Sequence, residues 1–228
     1  MTRKTRRRLR FAVIGALLVF VAACAFLPDY PRILSSGKYD PVEESTPKPT
    51  DVATTPKAGT QTEPHTCGWH AMSSMYTAYG LKGETFNLRF RLGTDEPAMR
   101  ADKDSTGTLH PDLYRVLAQD GFTAEPLDLE SDVAVDALQN HMAWQQLALV
   151  VVYRSTYHWV LVGPAGQAGE LVVYDSLKDT PVTVPVDDLL DEALSITLVE
   201  PSDGEAISTS TAHAEGLREM ARLYQRKE

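Results

Sequence analysis

The chain has 228 residues, of which 43% are hydrophobic and 23% charged, the make-up of an ordinary globular protein and not of a disordered one. Its net charge is −9, but the first ten residues hold six of the 22 bases and no acid, so residues 11–228 carry 16 bases against 31 acids. A body that acidic repels nucleic acid, which is left outside the candidate partners. There are only two cysteines, Cys24 and Cys67. Cys24 lies inside an apolar run, so a bridge between them would have to reach into a membrane segment. Cys67 is therefore read as a free thiol, and a lone cysteine with histidines downstream is a candidate nucleophile.

The basic start, MTRKTRRRLR, is followed by an uncharged apolar stretch from Phe11 to Leu27. This is the pattern of an export signal or signal anchor, a little short of the roughly 20 residues a membrane-crossing helix needs. Within it, Val21-Ala22-Ala23-Cys24 has the form of a lipobox, in which cleavage before Cys24 precedes its lipidation. Ala25-Phe26-Leu27 prolong the apolar run as an uncleaved anchor would, so both readings stand. Arg6-Arg7-Arg8 adds the look of a twin-arginine signal. A lipoprotein or an uncleaved anchor would be held at the membrane and a cleaved signal would release the chain, and each version puts the body outside the cytoplasm. Residues 28–60 are rich in Pro, Ser, Thr, Lys and Asp without apolar periodicity, and read as a disordered tether. The expected organisation is thus 1–27 signal or anchor, 28–60 tether, 61–200 folded domain and 201–228 a tail, helical if docked.

A first helix is expected from Cys67 to about Tyr79, stopped by Gly80. Met72, Met75, Tyr76 and Tyr79 form a large apolar stripe, whereas Cys67, Ala71, Ser74 and Ala78 form a stripe of small residues that lets a second layer approach. Phe86 to Leu92 alternates like a strand, yet Asn87 offers a cap for a short helix. Pro111 at a first-turn position, Leu113, Val116 and Leu117 on one face, and Gly121 at the end predict another helix. Ser131 opens a further one to about Met142. Then the pattern changes to short β-branched runs, at Leu147–Tyr153, Trp159–Val162, Leu171–Tyr174, Val182–Val186 and Ile196–Val199, with a short helix at Asp187–Leu194. Thr211–Glu228 has the pattern of an amphipathic helix. Helices first and an antiparallel sheet after is an α+β order.

The chemistry concentrates in Gln61-Thr62-Glu63-Pro64-His65-Thr66-Cys67-Gly68-Trp69-His70. A cysteine attacks as thiolate, and a helix start favours that form. Gly68 leaves room beside it for a substrate backbone. Gln61 is placed to aim its amide at an oxyanion beside the Cys67 N–H, or else is a loop residue in water. The base must come from six histidines. His65 and His70 are too local, His110 and His213 belong to a helix start and the tail, and His141 ends a helix. His158 heads a strand, and the next strand ends at Asp175. Antiparallel pairing of the two brings Asp175 to the His158 ring, giving a nucleophile, a base and an orienting group.

These segments together resemble the bacteriocin-processing, double-glycine-leader peptidases of the papain-like clan, over Gln61 to about Leu177. The matching motifs are Gln61 with Cys67-Gly68, Tyr79-Gly80, Leu88-Arg89 with Leu92-Gly93, Gly107-Thr108 through Gly121-Phe122, and His158-Trp159-Val160-Leu161-Val162 with Asp175. The resemblance implies a papain-like cysteine peptidase fold with N-terminal helices packed on an antiparallel sheet. It implies Cys67 as nucleophile, His158 as base, Asp175 as orienting group and Gln61 as oxyanion donor, with a peptide or protein substrate and no cofactor or metal. It also favours the short helix at 88–92. Phytochelatin synthases share a similar Gln, Cys-Gly, His and Asp order, but the Gly107–Phe122 segment favours the peptidases. Trp69-His70 and Ser176 depart from the family pattern, which usually has smaller residues after Cys-Gly and often Pro after the Asp. Two other classes compete: a peptide-binding lipoprotein module that keeps the fold without catalysis, and a metal site of His65, Cys67 and His70, which lacks a convincing fourth ligand.

Overall fold

The computed structural model describes residues 51–57, 59–82, 87–94, 107–153, 156–202 and 208–226. The expected signal or anchor, Cys24 and most of the tether lie outside these residues. Among the described residues no helix is long and apolar enough to cross a membrane.

Among the described residues, six helices and six strands follow one another as α1 (Cys67–Ala78), α2 (Leu88–Arg91), α3 (His110–Gln119), β1 (Phe122–Pro126), α4 (Ala134–Ala143), β2 (Leu147–Tyr153), β3 (Tyr157–Pro164), β4 (Glu170–Tyr174), β5 (Val182–Pro185), α5 (Val186–Glu192), β6 (Ala193–Pro201) and α6 (Thr209–Arg226). The strands form one antiparallel sheet in the order β1-β6-β2-β3-β4-β5. This is the α+β class expected, with helices packed on an antiparallel sheet. The alternation within β2 and β3 divides the core in two. Leu147, Leu149, Val151, Trp159 and Leu161 face α1 and α3, whereas Ala148, Val150, Val152, Val160 and Val162 face Leu138 and Met142 of α4 and Leu189 of α5. Burial on both faces is why Leu147–Val152 is an unbroken apolar run.

Several boundaries differ from expectation. β1 was not anticipated, because Phe122-Thr123-Ala124-Glu125-Pro126 is short and mixed; it forms by pairing with β6 at the sheet edge, where Pro126 can end it. The 86–92 ambiguity resolves to a helix, with Asn87 preceding it in a left-handed conformation (φ 46°) and contributing no side-chain cap. The tether ends earlier than residue 60. Ala53 and Thr54 donate backbone hydrogen bonds to the Ala78 carbonyl (2.7 and 3.0 Å), and the Ser74 hydroxyl donates to the Lys57 carbonyl (2.6 Å), so this segment lies along the small-residue side of α1. The tail is a docked helix: Ala212, Met220 and Leu223 of α6 are buried, and Gly216 sits against α3 so closely that a Cβ there would fall 2.6 Å from the His110 carbonyl oxygen.

A buried polar cluster ties the helices on the α1 side together. Asp120, just past α3, accepts two hydrogen bonds from the Arg91 guanidinium of α2, at 2.9 and 2.8 Å, and one from the Tyr76 hydroxyl of α1. Burial pushes the Asp120 carboxyl upward and the Arg91 and Tyr76 bonds oppose that shift. Removing the carboxylate leaves a buried guanidinium without its bidentate partner, so Asp120→Ala is expected to cost about 3–5 kcal/mol. A urea titration reads this as a lower midpoint with unchanged slope.

Candidate active site

Cys67 is the first residue of α1 and is buried, at 2% exposure. The Thr66 hydroxyl before it turns back to the Glu63 carbonyl (2.9 Å) and caps nothing, and the first turn holds no acid. The positive end of a twelve-residue helix is therefore left to the sulfur and to whatever anion forms beside it.

β3 and β4 supply the other two groups. Their register pairs Leu161 with Tyr174, and extending it by one residue sets Asp175 opposite Val160, diagonal to His158. The His158 Nε2 lies 2.7 Å from Asp175 Oδ1. The same oxygen accepts the Leu177 N–H at 2.9 Å, which fixes the carboxylate in line with the ring. The other side of the imidazole meets Cys67, whose side chain is its second hydrogen-bond partner. With Nε2 on the carboxylate, Nδ1 is the nitrogen left for the sulfur. His158 and Asp175 are buried, at 4% and 3% exposure.

Burial works against a charged His158, but hydrogen bonding to and electrostatic interaction with Asp175 and Cys67 overcome it and raise the imidazole to about 9. Asp175 is the counterpart: burial raises its carboxyl, yet the His158 bond and the Leu177 N–H bring it below the ordinary value. Four other described histidines are engaged elsewhere, and His213 is lowered by burial. His110 is driven down to about 3 by burial and is bonded to Ser195 Oγ at 3.0 Å. His70 is lowered by burial and by nearby Arg89, and its ring lies against Trp69. His65 faces Glu63 at 3.5 Å, and His141 is bonded to the Leu147 carbonyl at 2.9 Å.

Gln61 is stitched to the residue after Asp175. Its N–H donates to the Ser176 carbonyl (2.9 Å), its Oε1 accepts the Ser176 hydroxyl (2.9 Å) and its Nε2 donates to the Glu63 carbonyl (2.8 Å). This is not a solvated loop residue. One Nε2 hydrogen remains beyond the Glu63 bond. Ser176, noted in the sequence only as a departure from a proline, is what orients the amide.

Two expectations change. The room expected beside Gly68 is filled by the Thr108 side chain. The set His65, Cys67 and His70 does not gather: among the described residues no group of three or more His, Cys, Asp or Glu side chains is arranged to hold a metal. Thr108 and Trp159 stand in the motifs Gly107-Thr108 and His158-Trp159, but only the packing shows that they meet beside Gly68, through the Trp159 indole on the Thr108 carbonyl. The Trp69 ring lies under Arg89 at 5.6 Å, and Arg89 in turn binds Glu63, which fixes the loop leading to Cys67.

No protein-family model matches the chain, and no curated protein matches it. Among solved structures, it is similar to the peptidase domain of Streptococcus ComA, a bi-functional ABC transporter involved in a quorum-sensing pathway. That likeness has 17% identity and a TM-score of 0.47, and covers 64% of this chain and 98% of that one. It is also similar to the N-terminal peptidase C39-like domain of a toxin secretion ATP-binding protein from Vibrio parahaemolyticus, at 18% identity and a TM-score of 0.29, over 51% of this chain and 91% of that one.

The directions of the two shifts set a pH window. A raised His158 contributes stability fully below its ordinary 6.5, and loses it as pH rises through about 9. A lowered Asp175 contributes above its ordinary 3.8 and loses it as pH falls through its folded value. An NMR titration of His158 is therefore expected to show charge loss near pH 9, with Asp175→Asn moving the midpoint down toward 6.5.

Proposed function

We propose that this protein is a cysteine peptidase that cleaves peptide or amide bonds, held by its N-terminus at the outer side of a membrane. The observation that carries the reading is the buried line from Cys67 through His158 to Asp175, with the imidazole bonded on both sides and Asp175 closing it at 2.7 Å. An imidazole held charged to about pH 9 beside a sulfur at a helix start supports a thiolate–imidazolium pair at neutral pH.

In this reading the Cys67 thiolate attacks the substrate carbonyl carbon, and the carbonyl electrons move onto the oxygen. The Cys67 backbone N–H and the remaining Nε2 hydrogen of Gln61 receive that oxyanion. His158 gives its proton to the leaving nitrogen as the C–N bond breaks, leaving a thioester. Water then adds to the thioester carbon as His158 takes its proton, and the C–S bond breaks to release the acid product and restore the Cys67 thiolate. Asp175 holds the ring in line for both transfers and stays ionised. The substrate class is a peptide or protein, and no cofactor enters the cycle.

The basic N-terminus, the apolar run and Val21-Ala22-Ala23-Cys24 support a lipoprotein, lipidated at Cys24 and carrying several chains, because one lipid chain anchors only marginally. Cys24→Ser is expected to abolish processing and lipid labelling; unchanged processing leaves the uncleaved anchor.

The reading is tested by alkylation of Cys67 with iodoacetamide at pH 6, where an ordinary thiol of pKa about 8.5 is almost wholly protonated. One alkylation, on Cys67, blocked by a peptide aldehyde, is expected. His158→Ala should lower turnover by about 10²–10⁴, the range of general acid–base catalysis, and Asp175→Asn by less. The burial of Cys67 favours a second reading, a peptide-binding module without catalysis. Slow alkylation that rises only above pH 8 and ignores His158→Ala would select it.

A further inference from the structure

The residue after the nucleophile and the residue after the base rest on the same side chain and backbone. Gly68 follows Cys67, and a Cβ built there would lie 2.4 Å from both Cβ and Oγ1 of Thr108 and 3.0 Å from its Cγ2. Trp159 follows His158, and its indole Nε1 donates to the Thr108 carbonyl at 3.0 Å. Thr108 and Trp159 are each 3% exposed. Thr108 is itself fixed from behind. Gly107, at φ 60°, sits so near the His65 backbone that a Cβ would come within 2.1 Å of the His65 carbonyl oxygen. The His110 ring packs tilted against the Trp159 indole, with centroids 4.7 Å apart, and is bonded to Ser195.

We propose that Thr108 is a positioning residue that sets the separation of Cys67 and His158, its side chain wedging the start of α1 and its carbonyl holding β3 through the Trp159 indole. The proposal rests on the Cys67–His158 reading above. Cys67 and His158 belong to different elements, and nothing in a hydrogen bond between two side chains prevents α1 from sliding along the sheet. Thr108 comes from a third segment, the stretch leading into α3, and touches the immediate neighbour of each group. A shift of about 1 Å between reacting groups is enough to cost about a hundredfold in rate. Thr108 Oγ1 is buried without a hydrogen-bond partner among the described residues, so the wedge acts by shape and not by a bond.

The test uses the full-length protein in detergent, with iodoacetamide as the probe and the modification of Cys67 followed by mass spectrometry from pH 5 to 10. Trp159→Phe keeps an aromatic ring and deletes the indole donor; Thr108→Gly deletes the wedge. Each is expected to slow alkylation at pH 6 by about tenfold or more, and to move the rate–pH profile toward that of a thiol without an imidazolium neighbour. Thr108→Val, which keeps the shape, should recover most of what Thr108→Gly loses. Tyr79→Phe removes a buried hydroxyl at the far end of α1, bonded to Gln146 at 2.8 Å, and serves as the control for lost stability. It should lower the melting temperature without moving the profile. Profiles unmoved in Trp159→Phe and Thr108→Gly, or moved equally by Tyr79→Phe, overturn the positioning role while leaving the nucleophile intact. A wild-type protein unreactive at pH 6 overturns the Cys67–His158 pair itself, and the role of Thr108 with it.

Discussion

Burying α1 on two sides is the constraint to which the other parts of the structure answer. Its wide stripe of Met72, Met75, Tyr76 and Tyr79 is almost wholly buried, and its narrow stripe of Ala71, Ser74 and Ala78 is covered as well, so the helix has no solvent side of any breadth. Four buried large side chains at roughly 1.5–3 kcal/mol each outweigh any single polar contact in the domain. A helix held that way resists rotation about its axis, and Thr108 against Gly68 limits its slide along the sheet. Its first residue, Cys67, is delivered to one place at the end of the sheet.

What waits at that place follows from sheet register. A slip of one residue between β3 and β4 would move Asp175 to the other face and leave the His158 imidazole with no carboxylate. The apolar alternation on both faces of β3 forbids that slip, because Trp159 and Leu161 would exchange sides with Val160 and Val162 and both cores would be mismatched. The site therefore inherits its precision from hydrophobic patterning several residues away. The polar contacts do something different. Asp175 accepts from both His158 and Leu177, and Ser176 fixes the amide of Gln61, so one three-residue turn orients both the imidazole and the amide.

The same burial explains the sign of the electrostatics. His110, alone with a serine in the core, is pushed to about 3, whereas His158, equally buried but bonded on both sides, goes up to about 9. Desolvation pushes both rings down; the neighbours of His158 reverse its outcome. That contrast within one domain also shows why a histidine's position in the sequence says little about its role.

Much of this was legible beforehand. The helix at Cys67–Ala78, the later run of strands and the pairing of His158 with Asp175 follow from periodicity, from Gly and Pro punctuation, and from the alternation that antiparallel strands require. The first two are local properties, carried by residues within a few positions of one another, and the pairing spans a single hairpin. The tertiary structure alone decided the rest. The strand at Phe122–Pro126 exists because β6 lies beside it, and the segment 51–57 is ordered because α1 offers small residues and a free carbonyl at Ala78. Gly68 reads as open space until Thr108, forty residues on, is found filling it. Ser176 reads as a missing proline until its hydroxyl is found on Gln61. Contacts between residues so far apart in the chain leave no periodic trace, because their energy depends on where two segments meet and not on what either one contains.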